Sequence, residues 1–492
     1  MKRRKEEITL TCLGSSAQQV TGSCWLLEYP KKEGEIGTIV IECGLNQQGF
    51  TDLEHYQGNQ KMLESIGKEI VSNCEYVLIG HSHVDHIGNL VYFNEDNGFK
   101  GEILGSEKCI ELSKPLIKNS IIIHEGMIKA MREKGIKRTP LYTKTQMYQT
   151  FNHMRAVEQK EEIVLNEYVT VIFHPNNHVV GASSISIIVT KPSGIKKHIL
   201  YSSDIGSAIL QEFHPYVNSL DLPKKCDMFI TEATYSDKSR IISRKMAIQE
   251  RKELKDIIKN ALKKNDDSQV LIPTFSFSRT QEFITWLHEE FKDDSFFNDI
   301  PIVIDGILAD EINKVYLKIL DEEDKRRFEE SLKWHNIKIN TSIEGTRAIL
   351  KTRSRRIIIT SSGFLTNGRV ANYLPSFLES SKDTIITLGY CGGEDSLGGI
   401  IVNTEQGKPI NLFNRTVLKR CDVFQMKTWS SHISYGELLE LFSRINTRKI
   451  IVHHCDEENK TNFIKEAKEY LLEKNKTTPI VGVSKCAFYF KL

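Results

Sequence analysis

The chain has 492 residues, too many for one ordinary core, so two or more domains are expected. Its 66 Lys and Arg against 64 Asp and Glu leave a net charge of +2, so no whole-molecule field attracts a polyanion and any nucleic-acid contact must be local. The basic start Met1-Lys2-Arg3-Arg4-Lys5 runs into Glu6 and Glu7 without an apolar h-region, and no run of 18 apolar residues occurs, which argues against a secretory signal and a membrane span.

In chain order, Ile8 to Cys12, Cys24 to Tyr29 and Thr38 to Glu42 read as short strands separated by Gly- and Ser-containing turns. The apolar run Tyr76-Val77-Leu78-Ile79-Gly80 then delivers His81-Ser82-His83-Val84-Asp85-His86 to a strand end. Imidazole nitrogen and carboxylate oxygen are the donors that borderline cations such as Zn²⁺ prefer. Alternation lets His81 and His83 point towards one cation, while Asp85 and His86 on the following turn can face a second.

Helical periodicity follows between about residues 105 and 160, carried by Ile110, Leu112, Leu116 and Ile117 and again from Ile123 to Met131. Tyr168 to Phe173, Ser184 to Thr190 and His198 to Ser202 return to strands. Their connections hold His178 and, after Ser202-Ser203, Asp204. A carboxylate at that place can bridge two cations, which a lone imidazole cannot do.

From about residue 237 the rhythm becomes helix, strand, helix. Met246 to Lys264 and Thr280 to Phe291 are helical, and Gln269 to Pro273, Pro301 to Asp305, Arg356 to Thr360 and Thr384 to Leu388 are continuous apolar strands. That alternation signals a parallel sheet covered on both faces, hence an inserted α/β domain. After about residue 428, Tyr435 to Phe442, Lys449 to His453, a further helix and a final strand make too small a core alone and are expected to complete the first domain. The ten cysteines are scattered without a CxxC pair, so disulfides are not expected and a reducing cytoplasm fits.

In this order the motifs resemble the metallo-β-lactamase fold and its β-CASP nuclease branch, which includes RNA 3′-end-processing endonucleases and bacterial and archaeal RNases. Besides the histidine motif, His178 and Asp204, the resemblance rests on Gly14 to Leu27, Glu42-Cys43-Gly44-Leu45, Ile230 to Tyr235, Ser431-His432 and Val452-His453. Ile272 to Ser276, Ser361 to Leu365 and Gly389-Tyr390-Cys391 with Leu397-Gly398 are similar to motifs of the inserted domain. The resemblance implies an α/β chain: an αββα sandwich, residues 1–236 completed by 429–492, with the β-CASP domain at 237–428.

It further implies two Zn²⁺ per chain, one on His81, His83 and His178 and the other on Asp85, His86 and His453, bridged by Asp204. Asp85, Glu232 and His432 would carry the chemistry, with Glu232 orienting His432 as general acid. The implied activity is a cytoplasmic, metal-dependent hydrolase, an endo- or exoribonuclease. It would act on single-stranded RNA, leave 3′-hydroxyl and 5′-phosphate ends, and need no membrane. The chain would form a homodimer or act with a partner protein, and target choice would come from the cleft or from that partner. The rivals are a DNA nuclease of the same branch, against which His453 argues, and a non-catalytic RNA-processing scaffold.

Three positions depart from the family pattern: Glu42 stands for the usual Asp, His454-Cys455 for Gly-Glu, and Ser434 for an acidic or small residue. Neighbours at a strand end point to opposite faces, so only one of His453 and His454 can reach a cation, and alignment favours His453. Arg279 and Arg369, beside strand-end loops of the insert, are candidates for holding a nucleic-acid backbone. The basic run Lys351 to Arg356 is read as a solvated face at least as readily as a phosphate contact. His55, His124, His153, His174, His198, His214, His288 and His335 lack a partner pattern and are read as structural or surface residues.

Overall fold

Alternating apolar residues on consecutive strands build the frame that carries the histidine motif. A computed structural model describes residues 6–47, 49, 51–413, 415–485 and 488–492; the basic start 1–5 and Cys486 lie outside it. The chain divides into two units, one of residues 1–211, 217–241 and 431–492, the other of 212–216 and 242–430.

The first unit contains two seven-stranded sheets. One runs in the order Phe488–Lys491, Thr9–Cys12, Trp25–Pro30, Ile36–Ile41, Tyr76–Leu78, Glu102–Ser106, Met154–Val157. The other runs Ile480–Gly482, Ile450–His453, Met228–Glu232, Lys196–Tyr201, Ser183–Thr190, Val169–Pro175, Ile163–Val164. The C-terminal segment therefore supplies strands to both sheets. Trp25, Leu27, Ile39, Ile41 and Leu78 from one sheet meet Val171, Phe173, Ile185, Ile187 and Ile230 from the other in a shared core. On its outer face the second sheet packs Leu200, Phe229, Ile450 and Val452 against Leu438, Phe442 and Phe463 of the helices Tyr435–Arg444 and Glu457–Glu473. The helices Asp52–Asn73 and Glu107–Glu133 lie on the first sheet. The layers are helix, sheet, sheet, helix.

The helix Asp52–Asn73 has no counterpart in the sequence reading. Its buried residues Tyr56, Met62, Leu63, Ile66 and Val71 are diluted by Gly58, Gly67 and a mostly polar surround, so the 3.6-residue period is faint. A capping box between Thr51 and Glu54 starts it instead.

The second unit is a six-stranded parallel sheet in the order Ile337–Asn340, Ile302–Asp305, Arg356–Thr360, Gln269–Pro273, Thr384–Leu388, Asp422–Met426. Val270 and Ile272 face one helix layer with Leu254, Ile258 and Phe283, whereas Leu271 faces the other with Tyr373 and Leu374. Burial on both faces explains the unbroken apolar runs. The nine described cysteines are free and buried, and among the described residues no helix is long and apolar enough to cross a membrane.

Candidate metal centre

Tyr76–Leu78 ends in Ile79 and Gly80, and His83 caps the one-turn helix Val84–Ile87. Two glycines let neighbouring loops close on this turn and its counterpart. A Cβ on Gly44 would stand 1.5 Å from the Asp85 carbonyl oxygen, and one on Gly206 would stand 1.7 Å from that of Asn177. Only a residue without a side chain permits such approach.

Asp204 belongs to three groups of converging side chains; one joins it to Glu232 and His432, and the other two surround it with histidines. In the first of these two, His83 Nδ1 is 3.0 Å from His81 Nε2 and 3.2 Å from His178 Nε2, and Asp204 Oδ2 is 3.8 Å from both of those Nε2 atoms. In the second, Asp204 Oδ2 is 3.3 Å from His86 Nε2 and Asp204 Oδ1 is 3.3 Å from His454 Nδ1. Asp85 Oδ2 completes it at 3.7 Å from His86 Nε2 and 3.5 Å from His454 Nε2.

The partners behind these rings fix their tautomers. Glu42 is fully buried and accepts from His86 Nδ1 at 2.6 Å, Tyr201 Oη at 2.5 Å and Ser203 Oγ at 2.6 Å. Ser203, its proton committed to Glu42, accepts from His81 Nδ1 at 3.0 Å. His178 Nδ1 donates to the Ser431 carbonyl at 3.2 Å. His81, His86 and His178 therefore carry their protons on Nδ1 and turn Nε2 lone pairs inward, the arrangement a coordinated imidazole adopts. The longer Glu42 side chain still reaches His86.

These residues fit a divalent cation. His83 Nδ1 faces two Nε2 lone pairs, and a proton on it can satisfy only one of them, whereas a cation among the three satisfies all. His86 Nε2, Asp204 Oδ1 and His454 Nε2 are buried without a hydrogen-bond partner among the described residues. Burial, and after it the neighbouring imidazoles, pushes the pKa of His81 and His178 well below the ordinary value, and burial brings His83 to about 4, so all three are neutral donors. In the second group burial opposes charge on His86 and His454, yet the carboxylates, Asp204 foremost, raise both. A cation would occupy the place of those protons. The group Glu42, His81 and His86 is explained by the hydrogen bonds just given.

The structure places His454, and not the expected His453, beside Asp85, His86 and Asp204. His453 ends the strand Ile450–His453 on the same face as Ile451, which lies in the core between the sheets. Its ring meets Trp25 edge-on at 5.4 Å and Tyr201 at 5.5 Å, and Trp25 Nε1 donates to its Nδ1 at 3.4 Å. His454 leaves the strand with φ 48° and enters the centre, with Thr234 Oγ1 3.1 Å from its Nδ1. Glu42 (φ 60°), Asn177 (φ 62°) and Ser203 (φ 52°) are left-handed as well. Each precedes, supports or is itself one of the converging residues. Strain on the order of 1 kcal/mol apiece is concentrated at the site.

Glu232 ends Met228–Glu232. Its carboxylate accepts from Ile205 N at 2.8 Å, Thr234 N at 3.0 Å and His432 Nδ1 at 3.2 Å. Burial disfavours charge on His432, but Glu232, then Asp204 and Asp85, outweigh it and raise its pKa. The His432 ring lies 4.7 Å from that of His178 and its side chain keeps 21% of its exposure, so it borders the centre and reaches solvent. Ser434 caps Tyr435–Arg444 in a capping box with Glu437, which also accepts from Ser207 Oγ at 2.6 Å and Ile209 N at 2.9 Å. A serine here ties the helix start to the loop that follows Asp204.

Residues 280–401 match the family model described as the Beta-Casp domain. The chain carries a β-CASP domain on a metallo-β-lactamase fold. Residues 57–235 also match the model described as anti-Pycsar protein Apyc1. It is 21% identical to Endoribonuclease YSH1 of Candida glabrata over 92% of the chain and 55% of that protein. It is 22% identical to Ribonuclease TTHA0252 of Thermus thermophilus, covering 90% of this chain and 92% of that one. With transcription termination factor FttA of Methanosarcina mazei it shares 22% identity over 92% of the chain and 67% of the relative. The chain thus spans just over half the length of the YSH1 relatives. A crystal structure of an Enterococcus faecalis protein of unknown function shares the fold, with TM-score 0.55, 11% identity and coverage of 99% of this chain and 100% of that one.

Away from the centre, neither arginine singled out in the insert is offered to a nucleic acid. Arg279 is buried and pairs with Glu282 at 2.7 Å, and Arg369 is buried and pairs with Asp305. In the basic run, Arg353 pairs with Asp267 and Asp383, and Arg355 with Asp266. The charges there serve the fold of the β-CASP unit.

Proposed function

We propose that this β-CASP protein is a zinc-dependent ribonuclease that hydrolyses RNA phosphodiester bonds at a two-cation centre, leaving 3′-hydroxyl and 5′-phosphate ends. The observation that carries the reading is the sharing of Asp204 between two sets of inward-facing donors. His81, His83, His178 and Asp204 would hold one cation; Asp85, His86, Asp204 and His454 would hold the other. When bound, such a pair lowers the pKa of a shared water and neutralises charge on the attacked phosphate. N/O donors without thiolate favour zinc among redox-inactive cations.

The chain's own contribution to the chemistry is proton delivery. Glu232 accepts a hydrogen bond from His432 Nδ1 and favours the imidazolium, so the opposite nitrogen can present a proton to the departing 3′ oxygen. The names of the YSH1 and TTHA0252 relatives support RNA as substrate. Incubating purified protein with end-labelled RNA and DNA of equal sequence tests the reading. RNA cleavage to 5′-phosphate ends is expected; cleavage of DNA alone, or of neither, would overturn it.

A further inference from the structure

Three adjacent strands of the inserted sheet, Arg356–Thr360, Gln269–Pro273 and Thr384–Leu388, each end in a loop that carries an aromatic side chain. These are Phe364, Phe275 and Tyr390. The Phe275 and Phe364 ring centres are 5.0 Å apart at 79°, and those of Phe364 and Tyr390 are 6.3 Å apart at 83°. The central ring thus stands edge-on to both outer ones. Phe275 is 38% exposed and Tyr390 44%, and Phe364 is half-buried between them. Phe275 lies close to Gly363, where a Cβ would stand 3.1 Å from its ring.

The C-terminal edge of a parallel sheet is where such folds bind ligands. The same loops carry exposed Thr366 and Asn367 and exposed backbone at Gly368 and Gly393, so the rings are bordered by polar groups. That suits flat groups with polar edges better than an aliphatic protein surface. Exposed Glu394 and Asp395 on the Tyr390 loop would repel phosphates, which favours contact through bases over contact through the backbone.

We infer that Phe275, Phe364 and Tyr390 form a stacking platform for unpaired bases of the RNA strand. This rests on the ribonuclease reading for its ligand. Stacking on an aromatic face is sequence-tolerant and amounts to roughly tenfold in affinity per base.

The test uses the full-length protein and a fluorescent single-stranded RNA in which one nucleotide at a time is made abasic. Binding is read by anisotropy and cleavage separately. In wild type, abasic substitution at one or two positions should weaken binding about tenfold. In Phe275→Leu, Phe364→Leu and Tyr390→Leu, which keep apolar bulk but remove the π-face, intact RNA should bind about tenfold more weakly. The abasic penalty should then disappear, with the salt dependence of binding unchanged. An abasic penalty that persists in all three variants, or none in wild type, overturns the platform. Binding with these signatures but without cleavage would overturn the nuclease reading and leave the platform standing.

Discussion

Two neighbouring histidines illustrate how much one backbone angle decides. His453 continues the alternation of its strand into the apolar core, while His454, at φ 48°, swings into the polar centre. His454→Ala should therefore lose one zinc and reduce cleavage by roughly a hundredfold or more, since loss of even an outer-shell partner costs up to about that much. His453→Ala should keep both zinc ions and lose stability through the cavity beside Trp25. Elemental analysis of the two variants checks this, and loss of metal in His453→Ala alone would reverse the assignment. His432→Ala should retain the metal and bind RNA, yet turn over about a hundredfold more slowly. A substrate with sulfur at the bridging 3′ position leaves without protonation and should erase most of that defect. A defect of equal size with sulfur would reduce His432 to a positioning residue.

Among the elements, the helix Arg279–Phe291 depends on a buried ion cluster that propensity does not reveal. Glu282 accepts from Arg279 at 2.7 Å, Ser278 at 2.8 Å and His214 at 3.1 Å. Burial raises its pKa, but Arg279 and then His214 outweigh that and bring it from 4.5 to about 2. A depressed carboxylate adds stability that is present above pH 4.5 and lost as pH falls towards 2. Its magnitude is about 3 kcal/mol. Glu282→Gln should melt below wild type at pH 7, and the difference in Tm should close between pH 4.5 and 2. An equal difference at pH 7 and pH 2 would remove the carboxylate's charge from the account. Ser434→Ala should cost about 1 kcal/mol as a lost cap without loss of metal. The faint helix Asp52–Asn73 belongs to the same lesson, since its glycines and polar surround hide a face that the sheet buries.

For the molecule as a whole, the decisive measurement is metal stoichiometry. Wild type should carry close to two zinc ions per chain, and Asp204→Ala should lose most of both because both donor sets use it. One ion or none in active protein would end the dinuclear reading. Chelation should abolish cleavage and lower Tm, since a ligand bound only by the folded state stabilises it.

By itself the sequence determined the αββα frame, the parallel insert and most of the centre: period-two runs and strand-end polar clusters report which residues emerge together. His81, His83, Asp85, His86, His178 and Asp204 were legible because each follows a readable strand. Tertiary structure alone decided that His454 enters in place of His453, that Ser203 and Tyr201 join Glu42 behind the rings, and that Arg279 and Arg369 are spent on buried carboxylates. The reason is physical. Alternation predicts direction only while φ stays negative and extended, and a charge's partner lies wherever folding brings a complementary group, at any distance along the chain.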